Sequence, residues 1–234
     1  MFGSPVCIAI FWPISPNGMD KQMMKLDPAH KKIVPVVVKV DTSDDAVLLA
    51  QALFAGGLNV IEVTFRAANA AEAVRAIAQK VPEMILGAGT LLSAAQVREA
   101  RDAGAQFGVA PGLNLDVVSA AKKMGMPFIP GVMTPSEIEN ALAAGCKLLK
   151  FFPANIAGGV SMLRALAAPY AHTGVKFIAL GGIKADNMRE YLQEPIVAAV
   201  GGSWLVEPAL IAKRDWQAIT ARTREALQIA EALK

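Results

Sequence analysis

The sequence predicts an α/β fold of one domain, a (β/α)8 barrel. Eight candidate strands alternate with helical stretches in a chain of 234 residues, a length that such barrels commonly fill as a single unit. Composition points the same way, since 54% of residues are hydrophobic but only 6% aromatic. A core of Ala, Val, Leu and Ile suits parallel strands covered by helices. A doubly wound open sheet would place a glycine-rich turn after its first strand, and Val38-Lys39-Val40-Asp41-Thr42 contains no glycine.

Residues 1–32 precede this rhythm and are expected to form an extension and arm, with the barrel spanning 33–234. Val6 to Trp12 is an apolar run flanked by Pro5, Pro13 and Pro16, too short to cross a bilayer. No basic residue precedes it and no small-residue cleavage site follows, so it fits a secretory signal poorly. Met19, Met23 and Met24 are each candidate starts, and residues before about Met19 read as dispensable. The first strand, 33–40, is β-branched and continuous; Thr42-Ser43-Asp44 offers capping groups to a helix over 46–53, and Gly56-Gly57 closes it. Strand 60–65, helix 70–79, strand 84–88 and helix 94–103 follow, the last ending at Gly104. Further strands are expected at 106–110, 127–131, 147–152, 176–180 and 196–200, with helices over 115–123, 135–144, 159–167 and 185–191.

Charge and cysteine usage exclude several functions. Twenty-three basic and 20 acidic residues are interspersed, leaving a net charge of +3 and no basic stripe for a nucleic-acid backbone. Cys7 and Cys146 make neither a disulfide framework nor a metal spacing, and His30 and His172 lie apart in linker-like contexts. The expectation is a cytoplasmic, reducing environment, with no metal, no cofactor and no membrane span.

The chemistry-bearing residues fall at the ends of strands, which in a barrel converge on one mouth. In Lys147-Leu148-Leu149-Lys150-Phe151-Phe152, alternation puts Leu148, Lys150 and Phe152 on one face. An inward Lys150 disfavours its ammonium form and supplies the free amine that a Schiff-base nucleophile requires; a lysine snorkelling to water is the alternative. Glu62, Thr64 and Arg66 share a face of the second strand, as a solvated cavity requires, or as a Glu62–Arg66 ion pair filling the barrel would. Gly87-Ala88-Gly89-Thr90 permits close backbone approach and brings a hydroxyl for an anion, or is a turn leading to a helix cap at Ser93. Gly181-Gly182 and Gly201-Gly202-Ser203 follow the last two strands, where barrels often bind phosphate through backbone N–H groups. Pattern alone marks Pro111 only as a strand terminator and Phe152 only as core.

Taken together, Glu62-Val-Thr-Phe-Arg66, Gly87-Ala-Gly-Thr90, Ala110-Pro111-Gly112, Lys150-Phe-Phe-Pro153, Gly181-Gly182-Ile183 and Gly201-Gly-Ser203-Trp204 form an ordered, specific set. It resembles that of the class I 2-keto-3-deoxy-6-phosphogluconate (KDPG) / 4-hydroxy-2-oxoglutarate (KHG) aldolases, from about Ile33 to the C-terminus. The resemblance implies a (β/α)8 barrel, usually a homotrimer, that uses no metal and takes small keto acids and sugar phosphates. It implies that Lys150 forms a Schiff base with pyruvate or the keto-acid substrate and that Glu62 shuttles protons. Arg66 and Thr90 would hold the substrate carboxylate, Pro111 and Phe152 would wall the pocket, and Gly181, Gly182, Gly201, Gly202 and Ser203 would take the phosphate. One position departs: many KDPG-cleaving members carry threonine just before the glycine pair where this chain has Leu180. An aldolase of other stereochemistry, a phosphate-binding isomerase or epimerase, and a non-catalytic sugar-phosphate binder are the competing readings.

Overall fold

The computed structural model describes residues 32–233, so the expected extension over 1–32 lies outside the described residues but for its last. Its strands are β1 (Ile33–Val37), β2 (Val60–Thr64), β3 (Ile85–Gly89), β4 (Phe107–Val109), β5 (Phe128–Ile129), β6 (Gly131–Val132), β7 (Leu148–Phe151), β8 (Lys176–Leu180) and β9 (Val197–Gly202). All pair in parallel, in the order β5-β4-β3-β2-β1-β9-β8-β7-β6. The two outermost segments, β5 and β6, are consecutive pieces of one stretch interrupted at Pro130, so the sheet closes on itself through residues 128–132. Proline has no N–H to give a ladder, yet its carbonyl still accepts from the Lys150 N–H at 2.8 Å. The expected fifth strand is therefore one barrel stave in two pieces, and the eight-stave barrel stands.

Around it lie α1 (Ser43–Ala55), α2 (Ala70–Lys80), α3 (Ala94–Ala103), α4 (Leu115–Lys123), α5 (Pro135–Ala143), α6 (Gly159–Ala167), a 3-10 turn (Ala168–Thr173), α7 (Met188–Leu192), α8 (Pro208–Ala212) and α9 (Trp216–Glu231). Side chains of Thr42, Ser93, Asn114 and Thr134 accept first-turn N–H groups, and Glu137 completes a capping box with Thr134. The first strand stops at Val37, short of the expected Val40, because the Val38 carbonyl turns aside to accept from Thr64 Oγ1 at 3.1 Å. Helices α8 and α9, after the last strand, add to the helices expected from the sequence. Ile219, Thr223, Ala226, Leu227 and Ala230 bury one stripe of α9, and Thr220 Oγ1 donates to the Ala52 carbonyl of α1 at 2.9 Å.

Register decides what fills the barrel. Val36 lies beside Glu62, Glu62 beside Gly87 and Gly87 beside Phe107; Gly131 lies beside Lys150, Lys150 beside Ile178 and Ile178 beside Ala199. Neighbours in parallel register share a face, so these residues point the same way, as do Thr64 with Gly89 and Leu180 with Gly201. Aliphatic side chains close most of the interior. Two ionisable ones, Glu62 and Lys150, stand among them.

Candidate active site

Lys150 is 6% exposed and Glu62 2%, and the lysine Nζ stands 3.9 Å from Glu62 Oε1. That is too long for a hydrogen bond, and Oε1 has no other partner. Nζ also lies 5.0 Å from the centre of the Phe152 ring, a cation–π distance. Burial pushes the Glu62 carboxyl above its ordinary value of 4.5, and the positive charge of Lys150 opposes part of that rise. The pair can thus exchange a proton with a reacting group without being locked together.

The geometry decides between the sequence alternatives. Lys147, not Lys150, reaches the surface, where its Nζ donates to the Thr173 carbonyl at 3.0 Å. Glu62 faces Lys150 and makes no ion pair with Arg66 among the described residues. β2 ends at Thr64, so Arg66 sits in the following turn, exposed, on a cleft of about 280 Å3 that it shares with Phe65, Gln96 and Glu99. Alternation could not place it, because alternation ends with the strand.

Thr90 follows β3 with φ 57°, a left-handed conformation that a β-branched residue rarely adopts, and it is half-buried at the mouth. Pro111 is half-buried after β4, and its backbone lies so close to Gly131 that a β-carbon there would meet the Gly112 nitrogen at 2.7 Å. After β7 a cis Phe152–Pro153 bond leads into a segment tied to β8, with Ala154 N–H donating to Leu180 O at 2.7 Å and Asn155 N–H to Gly181 O at 2.9 Å. Gly181 (φ 98°) and Gly182 (φ 76°) are positive, and β-carbons there would come within 2.9 Å of Pro153 Cα and 2.8 Å of Asn155 Cβ. Gly201 is closed in by the Val34 carbonyl and Leu180, Gly202 by the Trp204 ring, and Ser203 is half-buried beside them.

Other titratable groups stay apart from this centre. Burial raises the Cys146 thiol to about 11, the Lys122 charge opposing only part of the shift, so the sulfur is unreactive near neutrality. His172 is exposed, and His30 and Cys7 lie outside the described residues. Among the described residues no three His, Cys, Asp or Glu cluster to hold a metal, and no helix is long and apolar enough to cross a membrane.

The profile of the family described as KDPG and KHG aldolase matches residues 25–222. The chain belongs to that family. The 2-dehydro-3-deoxy-phosphogluconate aldolase of Treponema pallidum is 46% identical over 198 residues, 85% of this chain and 93% of the relative. The KHG/KDPG aldolase of Escherichia coli is 45% identical over 196 residues, 84% of this chain and 91% of the relative. Among solved structures, the KDPG aldolase of Legionella pneumophila, in which pyruvate was captured at low pH as a covalent carbinolamine intermediate, matches with a TM-score of 0.81. It is 39% identical and covers 85% of this chain and 95% of that one. In this member of the family the sequence pattern does not give the role of spacing inside the barrel. Inward glycines at 87, 89, 131 and 201 were legible as glycines, but not which side chains they make room for.

Proposed function

We propose that this chain is a class I, Schiff-base aldolase that cleaves KDPG to pyruvate and glyceraldehyde 3-phosphate, and/or KHG to pyruvate and glyoxylate. The observation that carries it is the buried lysine 3.9 Å from a buried acid inside the barrel of a chain of this family. The Glu62 carboxylate takes a proton from Lys150, whose Nζ then attacks the C2 carbonyl, a proton moving from nitrogen to oxygen to give a carbinolamine. Protonation of that hydroxyl by Glu62 releases water and leaves the iminium. Glu62, now a carboxylate, takes the C4 hydroxyl proton; the C3–C4 bond breaks, its electrons pass to the iminium, and the aldehyde leaves. The enamine takes a proton at C3, and water returns Lys150 and pyruvate.

Arg66 and Thr90 hold the substrate carboxylate in this reading, Arg66 turning in from the cleft beside the mouth, and Pro111 and Phe152 wall the pocket. Gly181, Gly182, Gly201, Gly202 and Ser203 cradle the phosphate with main-chain N–H groups and a hydroxyl. An epimerase would call for two carboxylates. The other buried one among the described residues, Asp45, lies on α1 beside Arg214 at 2.9 Å, which leaves Glu62 alone in the barrel. Treatment with pyruvate and borohydride places the adduct on Lys150, located by peptide mapping. An adduct on Lys147 or Lys39 overturns the assignment.

Leu180 shapes the choice of substrate. It is 4% exposed, shares the inward face with Lys150 and offers no hydrogen bond to a polyol. Phosphorylated keto-deoxy acids are expected to be the better substrates, with relaxed choice between C4 epimers, because an unpaired buried hydroxyl costs roughly 1–3 kcal/mol. Leu180→Thr sharpens that choice, read as the ratio of kcat/KM for the two epimers; an unchanged ratio removes Leu180 as the discriminating contact. The enzyme is read as a cytoplasmic homotrimer on family grounds and on its unpaired thiol, and a monomeric mass in solution counts against the assembly.

A further inference from the structure

Two inward glycines, Gly87 and Gly89, end β3, and each is crowded for a different reason. A β-carbon at Gly87 would run into the ring of Phe107, which is a matter of filling the barrel. A β-carbon at Gly89 would first meet an acidic side chain. Its nearest neighbours are all atoms of Glu62: Oε1, well inside van der Waals contact, then Cδ at 2.8 Å and Cγ at 2.9 Å. Gly89 is not among the residues of positive φ, so its backbone is one that alanine also adopts. The glycine is therefore required for the space that the Glu62 side chain takes and not for a turn.

We infer that Gly89 is a positioning residue for the aldol chemistry, the seat that keeps the Glu62 carboxylate near Lys150 without letting the two join. The inference rests on the proposed role of Glu62 as proton shuttle. No hydrogen bond holds Oε1 in place; the atom is buried and without a partner for one. Its place is set by shape, with β3 receding where the carboxylate lies. The resulting 3.9 Å gap to Nζ suits the chemistry. A direct ion pair would hold the lysine as ammonium and take away its lone pair, whereas a carboxyl moved much farther off could not reach an oxygen beside the amine. The carbinolamine hydroxyl is borne by the carbon bonded to Nζ, so it emerges next to that gap. There the Glu62 carboxyl gives up its proton as water leaves, and the carboxylate formed then takes the C4 hydroxyl proton.

A methyl group at position 89 evicts the carboxylate, either onto the lysine or away from it, and both directions impair the shuttle. Gly89→Ala is expected to lower kcat for KDPG cleavage by about 100-fold, the scale of losing general acid–base catalysis, with KM changed by no more than about threefold. It also displaces the acid limb of the pH–rate profile, which a merely structural disturbance leaves in place. In a Glu62→Gln background the same substitution adds less than about threefold, because residues that act as a unit do not add. Should Gly89→Ala fail to fold, Gly89→Ala/Glu62→Asp restores the room by shortening the acid, and is expected to fold and to match the kcat of Glu62→Asp alone. A further loss of about tenfold in that pair overturns the seat. So does Gly89→Ala with near-normal kcat, or with a kcat loss and an unmoved acid limb. Near-normal turnover in Glu62→Gln alone instead sinks the shuttle role and leaves the steric observation without a catalytic meaning.

Discussion

Lys150→Met abolishes aldol cleavage, lowering kcat by about 10⁴-fold or more, the scale on which enzymes lose a covalent nucleophile, while the barrel stays folded. Methionine is unbranched and apolar and fills the volume of the lysine stem beside Phe152, where only 6% of the residue meets solvent. The change also acts on Glu62. Lys150 is the influence that lowers the Glu62 pKa against burial, and without it burial pushes that carboxyl higher still. A carboxyl whose folded pKa lies above its unfolded value contributes stability that is fully present below 4.5 and is lost as pH rises through the folded value. The Tm of Lys150→Met is therefore expected to fall with rising pH more steeply than that of the parent. Borohydride with pyruvate leaves the variant unlabelled. If turnover stays within about tenfold of the parent, Lys150 is not the nucleophile.

Much of the fold was legible because local signals agreed with the tertiary arrangement. The helices over 94–103, 115–123 and 159–167 lie where sequence reading put them, since Ser93, Asn114 and Gly158 bracket their starts and Gly104 closes the first. Other boundaries depend on partners distant in sequence. Val38 and Val40 read as strand, yet the chain leaves the sheet when Thr64 takes the Val38 carbonyl. Pro130 did carry a signal, a proline inside a strand, but only the pairing with β4 on one side and β7 on the other shows how the barrel tolerates it. α9 carries its own local signals, a cap at Asp215 and a helical period in its buried residues.

The site divides along the same line. Alternation put Glu62 and Lys150 inside, because each lies within a strand whose period is two. It could not give their separation, which depends on barrel closure, and it failed at Arg66, two residues beyond the end of β2. The meaning of Gly89 needed three dimensions, since its crowding partner is 27 positions earlier, counted from Glu62 to Gly89 (89 − 62).

Glu62→Gln is expected to slow turnover by about 100-fold or more while leaving the fold and the formation of the pyruvate adduct's binding site intact. Glutamine has the same shape and fits the same space against β3, but it cannot move between acid and base, so dehydration of the carbinolamine and deprotonation of the C4 hydroxyl both lose their catalyst. The pH dependence makes the test specific. Cleavage needs the carboxylate, so kcat/KM rises with pH through the Glu62 pKa of the free enzyme. Burial holds that pKa above 4.5, and Lys150 offsets only part of the rise, so the acid limb lies above the ordinary carboxyl range. Glutamine does not titrate, and the limb attributable to Glu62 disappears with it. Profiles of kcat/KM for KDPG cleavage in the two proteins, taken with melting curves at each pH, separate loss of the shuttle from loss of the fold. A variant that keeps both its rate and its acid limb would place the shuttle on another group, and the buried carboxyl beside Lys150 would then serve only to balance the charge of the lysine.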